Sequence, residues 1–330
     1  MTFVNRPLEI AAFLDHNRWG EAAVQPLDGD FSTRRYARLV AKDGRTAVLM
    51  DAEDDQKTPQ FVALAKLLRK TGLDAPEIYA ALPERGLVLL QDFGTRNVGA
   101  LLDAGGDAKG FFLCAADILA RLHRQFDRAD AQGLVLPLYT AEFFTTQAEL
   151  FLDAYLPWVR QREASDEERG SFRAAWQTTL RPVEALPQSL LLRDFMPDNL
   201  MDLPAGGLGV LDFQDAGIGP VAYDLASLCE EVRRDGGFSL LSDVIAHYRG
   251  QSNSPLSQAD LVRACTVLSA QRHTRILGVI ARLALGSGRR DKLAHIPRIR
   301  RHLNDIMGDP CLSSVRAWME NGGLLSGQTA

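Results

Sequence analysis

Three oxygen-bearing side chains within one stretch of the 330-residue chain have the types and spacing of a phosphoryl-transfer centre. Asp194 is followed by Asn199, and the apolar run Leu208-Gly209-Val210-Leu211 then delivers Asp212. Asp194 would accept a hydroxyl proton, while Asn199 and Asp212 would offer hard oxygen ligands to a magnesium ion bridging nucleotide phosphates. Taken singly, each residue has a plainer reading, because Asp, Asn and Pro form turns and an Asp can simply end a strand. The joint pattern is more specific. Apolar residues lead into Asp194, Ala205-Gly206-Gly207 supplies a hairpin turn, and Gly219-Pro220 with Tyr223-Asp224-Leu225 follows Asp212 closely.

Together, Arg193-Asp194 with Asn199, Leu211-Asp212-Phe213-Gln214-Asp215, and Gly219-Pro220 with Asp224-Leu225-Ala226 resemble the aminoglycoside phosphotransferase family of small-molecule kinases. Within it the chain is most similar to the anomeric kinases of N-acetylmuramate and N-acetylglucosamine, through Gly29-Asp30, Ser32, Arg34-Arg35-Tyr36, the Leu-Asp-Phe-Gln-Asp motif and Gln271-Arg272-His273. The resemblance covers nearly the whole chain. It implies a two-lobed α+β protein-kinase-like fold, with a small β-rich N-terminal lobe at 1–92 and a larger, mainly helical lobe at 93–330. It also implies ATP and Mg²⁺ as cofactors and a small-molecule sugar as acceptor, with Asp194 as base and Asn199 and Asp212 as metal ligands. Backbone groups near Gln91 and Phe93 would meet the adenine edge, and Glu149 would face the acceptor. One departure stands in the catalytic loop: the family's His two residues before the Asp is Leu192 here.

The elements that must position these residues follow from periodicity. Residues 7–18 have the apolar spacing of an amphipathic helix. Residues 25–40 are strand-like at both ends around a small polar loop, which can turn backbone N–H groups toward phosphates or form an ordinary hairpin. Ser32 and Thr33 are its candidate nucleotide contacts. A strand at 46–50, a helix from Phe61 ended by Gly72, and a hairpin joining Ile78-Tyr79 to Leu87–Leu90 complete the first lobe. Gln91-Asp92-Phe93-Gly94 breaks the last strand as a hinge would.

Beyond it the pattern turns helical: 111–126, 139–160, 224–232, and a long segment from 259 to 285 interrupted by Gln271-Arg272-His273-Thr274-Arg275. Arg272 and Arg275 share a helical face, suited either to solvent or to anchoring an acidic group such as the lactyl carboxylate of muramate. Glu149 and Asp153 form an i, i+4 acidic pair, the usual property of a solvated face.

Kinases of this architecture hold the ATP phosphates with a strand lysine, and Met50 stands about where it would be. Arg35, on the strand face of Ala37 and Leu39, is the candidate replacement. Arg34, on the opposite face with Tyr36 and Arg38, is the reserve. Two rival readings remain open at this level: an aminoglycoside or choline-like acceptor, which would need an acidic pocket, and a non-catalytic nucleotide-binding module, suggested by Leu192 and Met50.

Composition narrows the rest. Lys and Arg number 37 against 42 Asp and Glu, and the net charge of −5 argues against a nucleic-acid partner. The four cysteines are far apart without CxxC spacing, and no HExxH or HxxxH set suggests zinc. No long apolar run or basic leader indicates a membrane segment, so a cytoplasmic protein is expected.

Overall fold

The structure is a computed structural model describing residues 6–27, 34–53, 55–286 and 288–325. Ser32 and Thr33, with the rest of the polar loop around them, lie outside the described residues. The fold is two-lobed α+β, with an antiparallel sheet near the N-terminus and a larger helical portion. Packing groups the chain into two compact units, one of 1–106, 125–135 and 197–215, the other of 107–124, 136–196 and 216–330. A single cut between residues 92 and 93 therefore differs from the units.

In the first unit, helix α1 (Arg6–His16) precedes strands β1 (Ala23–Leu27), β2 (Arg35–Val40) and β3 (Thr46–Asp51), helix α2 (Thr58–Lys70), and strands β4 (Ile78–Leu82) and β5 (Leu87–Leu90). The sheet runs β1-β2-β3-β5-β4, antiparallel throughout. Strand alternation sorts its side chains. Leu39, Ala47, Leu49, Leu87 and Leu89 form one buried cluster with Phe13 and Leu14 of α1 and with Trp19. Tyr36 pairs with Met50, which pairs in turn with Val88, placing these three on the opposite face. Helix α2 buries Phe61, Leu64, Ala65 and Leu68 at the i, i+3, i+4, i+7 spacing of a core-facing helix.

The unit continues through α3 (Val98–Asp103), and later in the chain through the hairpin of β7 (Leu200–Asp202) and β8 (Leu208–Val210). That hairpin belongs here because Gly209 bridges Asp74 and Met201 bridges Asn97. These long-range backbone pairs draw residues 197–215 away from their neighbours in sequence.

The second unit contains α4 (Ala108–Gln125), α5 (Ala141–Ala148), a π-helical turn at Phe151–Tyr155, α6 (Leu156–Arg160) and α7 (Asp166–Glu184). Strand β6 (Gln188–Leu191) pairs antiparallel with β9 (Gly217–Pro220), and α8 (Ala222–Cys229), α9 (Gly237–Ser252), α10 (Gln258–Gly286), α11 (Ile296–Ile306) and α12 (Ser313–Asn321) follow. The 29-residue α10 is the core of this unit. It approaches the π-helical turn so closely that a Cβ on Gly278 would lie 2.2 Å from the Leu150 carbonyl carbon. The polar run at its middle does not interrupt it: Gln271, Arg272, His273 and Thr274 are all buried within a continuous helix. Cys229 and Cys265 are buried free thiols, and Cys114 and Cys311 are half-buried. Among the described residues no helix is long and apolar enough to cross a membrane.

Candidate active site

The expected metal ligands sit on the first unit at the two ends of the β7–β8 hairpin. Asn199 immediately precedes β7, and its carbonyl accepts the Leu211 N–H at 2.9 Å, so the chain leaving β8 is held beside it. The Asn199 amide nitrogen then lies 3.3 Å from Asp212 Oδ2. Asp212 adopts φ +59°, a left-handed conformation uncommon outside glycine, and its Oδ1 accepts from Gln214 Nε2 at 2.6 Å. The next residue, Phe213, is 1% exposed and stacks on Phe61 of α2 at 5.1 Å with 9° between the rings, which anchors the strained turn in the core. Two side chains able to present oxygen atoms from converging positions suit a hard divalent cation such as Mg²⁺. Asp215 is paired with Lys57 Nζ at 2.8 Å.

The hinge segment is also tied within this unit. Arg38 grips Asp92 with Nε at 2.7 Å and Nη2 at 3.0 Å, and Nη2 reaches the Gly94 carbonyl at 2.7 Å. Arg38 is thus a structural clamp on residues 92–94, a role sequence reasoning missed. The Gln91 N–H donates to the Glu77 carbonyl at 2.8 Å, which leaves only its carbonyl edge for a ligand. Phe93 lies against Gly209: a Cβ there would fall 2.6 Å from the ring.

Arg35 does not occupy the position expected of a phosphate-binding cation. It shares the α1 face, its side chain is 69% exposed, and its Nη2 pairs at 2.7 Å with Asp51, a carboxylate that Arg6 of α1 also holds. Alternation placed Arg35 with Ala37 and Leu39 correctly, but that face is covered by α1. Arg34 points the other way and is buried.

The catalytic-loop aspartate belongs to the second unit. Strand β6 runs into Leu192-Arg193-Asp194, where Arg193 takes φ +72° and the Asp194 N–H bonds to the Leu192 carbonyl at 2.9 Å. Asp224, 1% exposed near the start of α8, accepts the Leu192 N–H at 2.6 Å and the Arg193 N–H at 2.9 Å. Burial pushes its carboxyl up to about 7, against the pull of those two N–H bonds and of Arg272.

Arg272 corrects the expectation of a substrate-binding guanidinium. It is 1% exposed, and Nη1 donates to the Arg193 carbonyl at 3.1 Å and to the Tyr223 hydroxyl at 2.9 Å. Its place is behind the loop, bracing the residue before Asp194. Leu192, where the family has His, is buried at 1% exposure, and Asp224 and Arg272 hold the loop around it.

Arg275, one turn further along α10, lines a small recess with Arg193, Gln147, Gln271 and the rings of Tyr139, Phe143, Phe144 and Tyr223. Two buried atoms in its wall, Gln271 Oε1 and Arg275 Nε, have no hydrogen-bond partner among the described residues. Burial lowers the Arg275 pKa, countered by Tyr223 and by the nearby Asp194 carboxylate. Glu149 is engaged elsewhere: Arg173 of α7 pairs with it at 2.9 Å, just as Arg169 takes Asp153 at 2.9 Å. The acidic pair is a tie between helices rather than a face toward the acceptor. His123 is likewise structural, with Nδ1 2.8 Å from the Tyr248 hydroxyl and a pKa lowered by burial to about 4.

An antiparallel sheet unit carrying an Asn and an Asp-Phe turn, and a helical unit carrying a braced Arg-Asp loop, are the parts of a kinase-like phosphotransferase. Residues 23–258 match the phosphotransferase enzyme family (APH), and the chain belongs to that family. It is 33% identical over 298 residues to an N-acetylmuramate/N-acetylglucosamine kinase of Pseudomonas aeruginosa, covering 86% of this chain and 85% of that one. A kinase of the same name from Caulobacter vibrioides is 28% identical over 346 residues, with 94% of each chain covered. Among solved structures, the GDP complex of wild-type aminoglycoside 2'-phosphotransferase-IIIa aligns with a TM-score of 0.65 at 17% identity, over 92% of this chain and 99% of that one. A choline kinase from Streptococcus pneumoniae aligns at 0.62 and 16%, over 91% and 99%. The last two show the shared fold.

Proposed function

We propose that this chain transfers the γ-phosphoryl group of ATP to the anomeric C1 hydroxyl of N-acetylmuramate or N-acetylglucosamine. The C1 oxygen forms a bond to the γ-phosphorus, the bond from that phosphorus to the β,γ-bridging oxygen breaks, ADP leaves, and the hydroxyl proton passes to Asp194. Asn199 and Asp212 would hold Mg²⁺, whose contribution when bound is to neutralise charge on the phosphates. Asp224 and Arg272 are positioning residues that fix the backbone on either side of Arg193, so that Asp194 is presented in one conformation. Carbonyl and N–H groups of the 91–93 segment would meet the adenine edge.

The observation that carries the acceptor assignment is the likeness, over most of the chain, to two relatives named N-acetylmuramate/N-acetylglucosamine kinase. The aromatic recess beside Arg193, with the unpartnered Gln271 Oε1 and Arg275 Nε in its wall, leaves no room for a water molecule as it stands and would have to open to admit a pyranose. A recess containing Arg275 and Arg193 disfavours a cationic aminoglycoside or choline. The names of the relatives support the same acceptor class. The test is to incubate the purified protein with ATP, Mg²⁺ and a panel of N-acetylmuramate, N-acetylglucosamine, kanamycin and choline, and to measure phosphorylated products by mass spectrometry. The proposal expects products from the two N-acetylated sugars, and phosphorylation of the amines alone would overturn it.

A further inference from the structure

With an apolar residue at 50 and Arg35 on the wrong face of the sheet, a phosphate-binding cation must come from elsewhere in the first unit. We propose that Arg34, gripped by Asp55, is the side chain that holds the nucleotide phosphates. This inference rests on the kinase reading above and names a residue that reading leaves open.

Arg34 immediately precedes β2, and its side chain is 4% exposed. Its Nε donates to Asp55 Oδ2 at 2.6 Å. Asp55 is itself fixed at the entrance to α2: its Oδ1 accepts the Lys57 N–H at 2.8 Å and its carbonyl accepts the Thr58 N–H at 3.2 Å. The cation and its carboxylate are thus joined as a strand-to-helix pair, the arrangement by which a lysine and a glutamate hold phosphates in kinases. A guanidinium has five N–H donors in a planar fork, the shape that matches phosphate oxygens, and a nucleotide would compete for those that Arg34 turns to neighbours other than Asp55.

Its surroundings connect it to the metal ligand. The guanidinium lies 5.4 Å from the centroid of Phe61, the ring that stacks on Phe213, the neighbour of Asp212. Tyr36, a hydrogen-bond partner of Arg34, has its phenol raised by burial, lowered by Arg34, and raised again by the charge of Asp212. Arg34, Tyr36 and Asp212 therefore share one electrostatic neighbourhood on the sheet face that carries Met50, which is 0% exposed. Burial works against the charge of Arg34 and the Asp55 carboxylate favours it, so the guanidinium stays ionised at any working pH. A permanent, carboxylate-held cation beside the Asp212 turn is what the missing lysine would have supplied. Lys57, 59% exposed and paired with Asp215, is the competing cation in the same loop.

The test compares wild type with Arg34→Ala, Arg34→Lys, Arg35→Ala and Lys57→Ala, measuring Mg-ATP and adenosine binding by calorimetry and ATP KM and kcat by a coupled assay. Adenosine lacks the phosphates, so it separates loss of a phosphate contact from loss of the fold. Arg34→Ala should weaken Mg-ATP binding at least tenfold and leave adenosine binding within about twofold. Arg34→Lys should recover part of the loss, and Arg35→Ala should stay within about threefold of wild type. Equal weakening of ATP and adenosine in Arg34→Ala would make the residue structural and overturn the proposal. A phosphate-specific loss confined to Lys57→Ala would overturn it in favour of that lysine. If wild type binds Mg-ATP but phosphorylates no sugar, the acceptor assignment fails, and the Arg34 result is still read from binding alone.

Discussion

Gly209 lies on β8, three residues before Asp212, and a methyl group there would fall 2.6 Å from Cε2 and 2.7 Å from Cδ2 of Phe93. Ordinary contact begins at 3.4 Å, so the ring must retreat by about 0.8 Å (3.4 minus 2.6) in Gly209→Ala. Phe93 is half-buried on the segment that Arg38 clamps, so the displacement is resisted. Overpacking of this kind costs roughly 1–3 kcal/mol. With an unfolding entropy of about 2.1 cal/mol/K per residue, the 330-residue chain loses roughly 1.4 °C of Tm per kcal/mol, so about 2 kcal/mol lowers Tm by roughly 3 °C. Because Phe93 is proposed to meet the adenine, the ATP KM should rise several-fold while kcat at saturating ATP changes little. The assay is a double-mutant cycle: thermal melts and ATP KM for wild type, Gly209→Ala, Phe93→Ala and the double variant. The new methyl should cost almost nothing once the ring is gone, a coupling typical of residues in direct contact. If Gly209→Ala costs the same Tm in both backgrounds, the close approach of Phe93 is not its cause and the packing described for this segment is wrong.

Four further outcomes are expected. Asp194→Asn should reduce kcat at least a thousandfold while ATP affinity stays within a few fold, since Asp194 acts on the acceptor hydroxyl; parallel loss of both would make it structural. Asp224→Asn keeps one acceptor oxygen but turns an NH₂ toward the second loop N–H, so kcat should fall roughly a hundredfold through misplacement of Asp194, as single-turnover assays can check. Asp224 also sets a pH signature: its folded pKa is about 7 against an ordinary 3.8, so its contribution to stability is complete below about 3.8 and is lost as pH rises through 7. Melts from pH 4 to 8 should show that slope in wild type and a shallower one in the Asn variant. Arg275→Leu should raise KM for N-acetylmuramate more than for N-acetylglucosamine, because only the former carries a carboxylate; equal increases would place the lactyl group elsewhere.

The hairpin within the Asp194 to Asp212 stretch was legible because spacing and turn residues are local: the Gly206-Gly207 turn does join β7 to β8, and both glycines take positive φ. The two-lobed α+β class was legible for a similar reason, since strand and helix periods rarely coincide. What sequence could not supply was the partner of each charged group. Arg35 and Arg34 were sorted correctly onto opposite faces, but which face α1 would cover depends on Phe13, Leu14 and Trp19 packing against Leu39 and Leu49. Arg272 read as a solvent-facing or substrate-anchoring charge because its partners, the Arg193 carbonyl and Tyr223, lie 79 and 49 positions away. Glu149 finds Arg173 across two helices whose contact no local pattern announces. Residues 197–215 joined the first unit through bridges to Asp74 and Asn97, again a long-range pairing.

The central claim is that the anomeric hydroxyl is the group phosphorylated, and the most direct measurement is the position of the new phosphate. Wild-type protein, ATP and Mg²⁺ are incubated with N-acetylglucosamine and, separately, with its methyl glycoside, and products are followed by ³¹P NMR with correlation to the sugar protons. The account predicts a product from the free sugar whose phosphorus couples to the anomeric proton, and no product from the methyl glycoside. Phosphorylation of the methyl glycoside, or coupling of phosphorus to a proton at any other ring position, would contradict it.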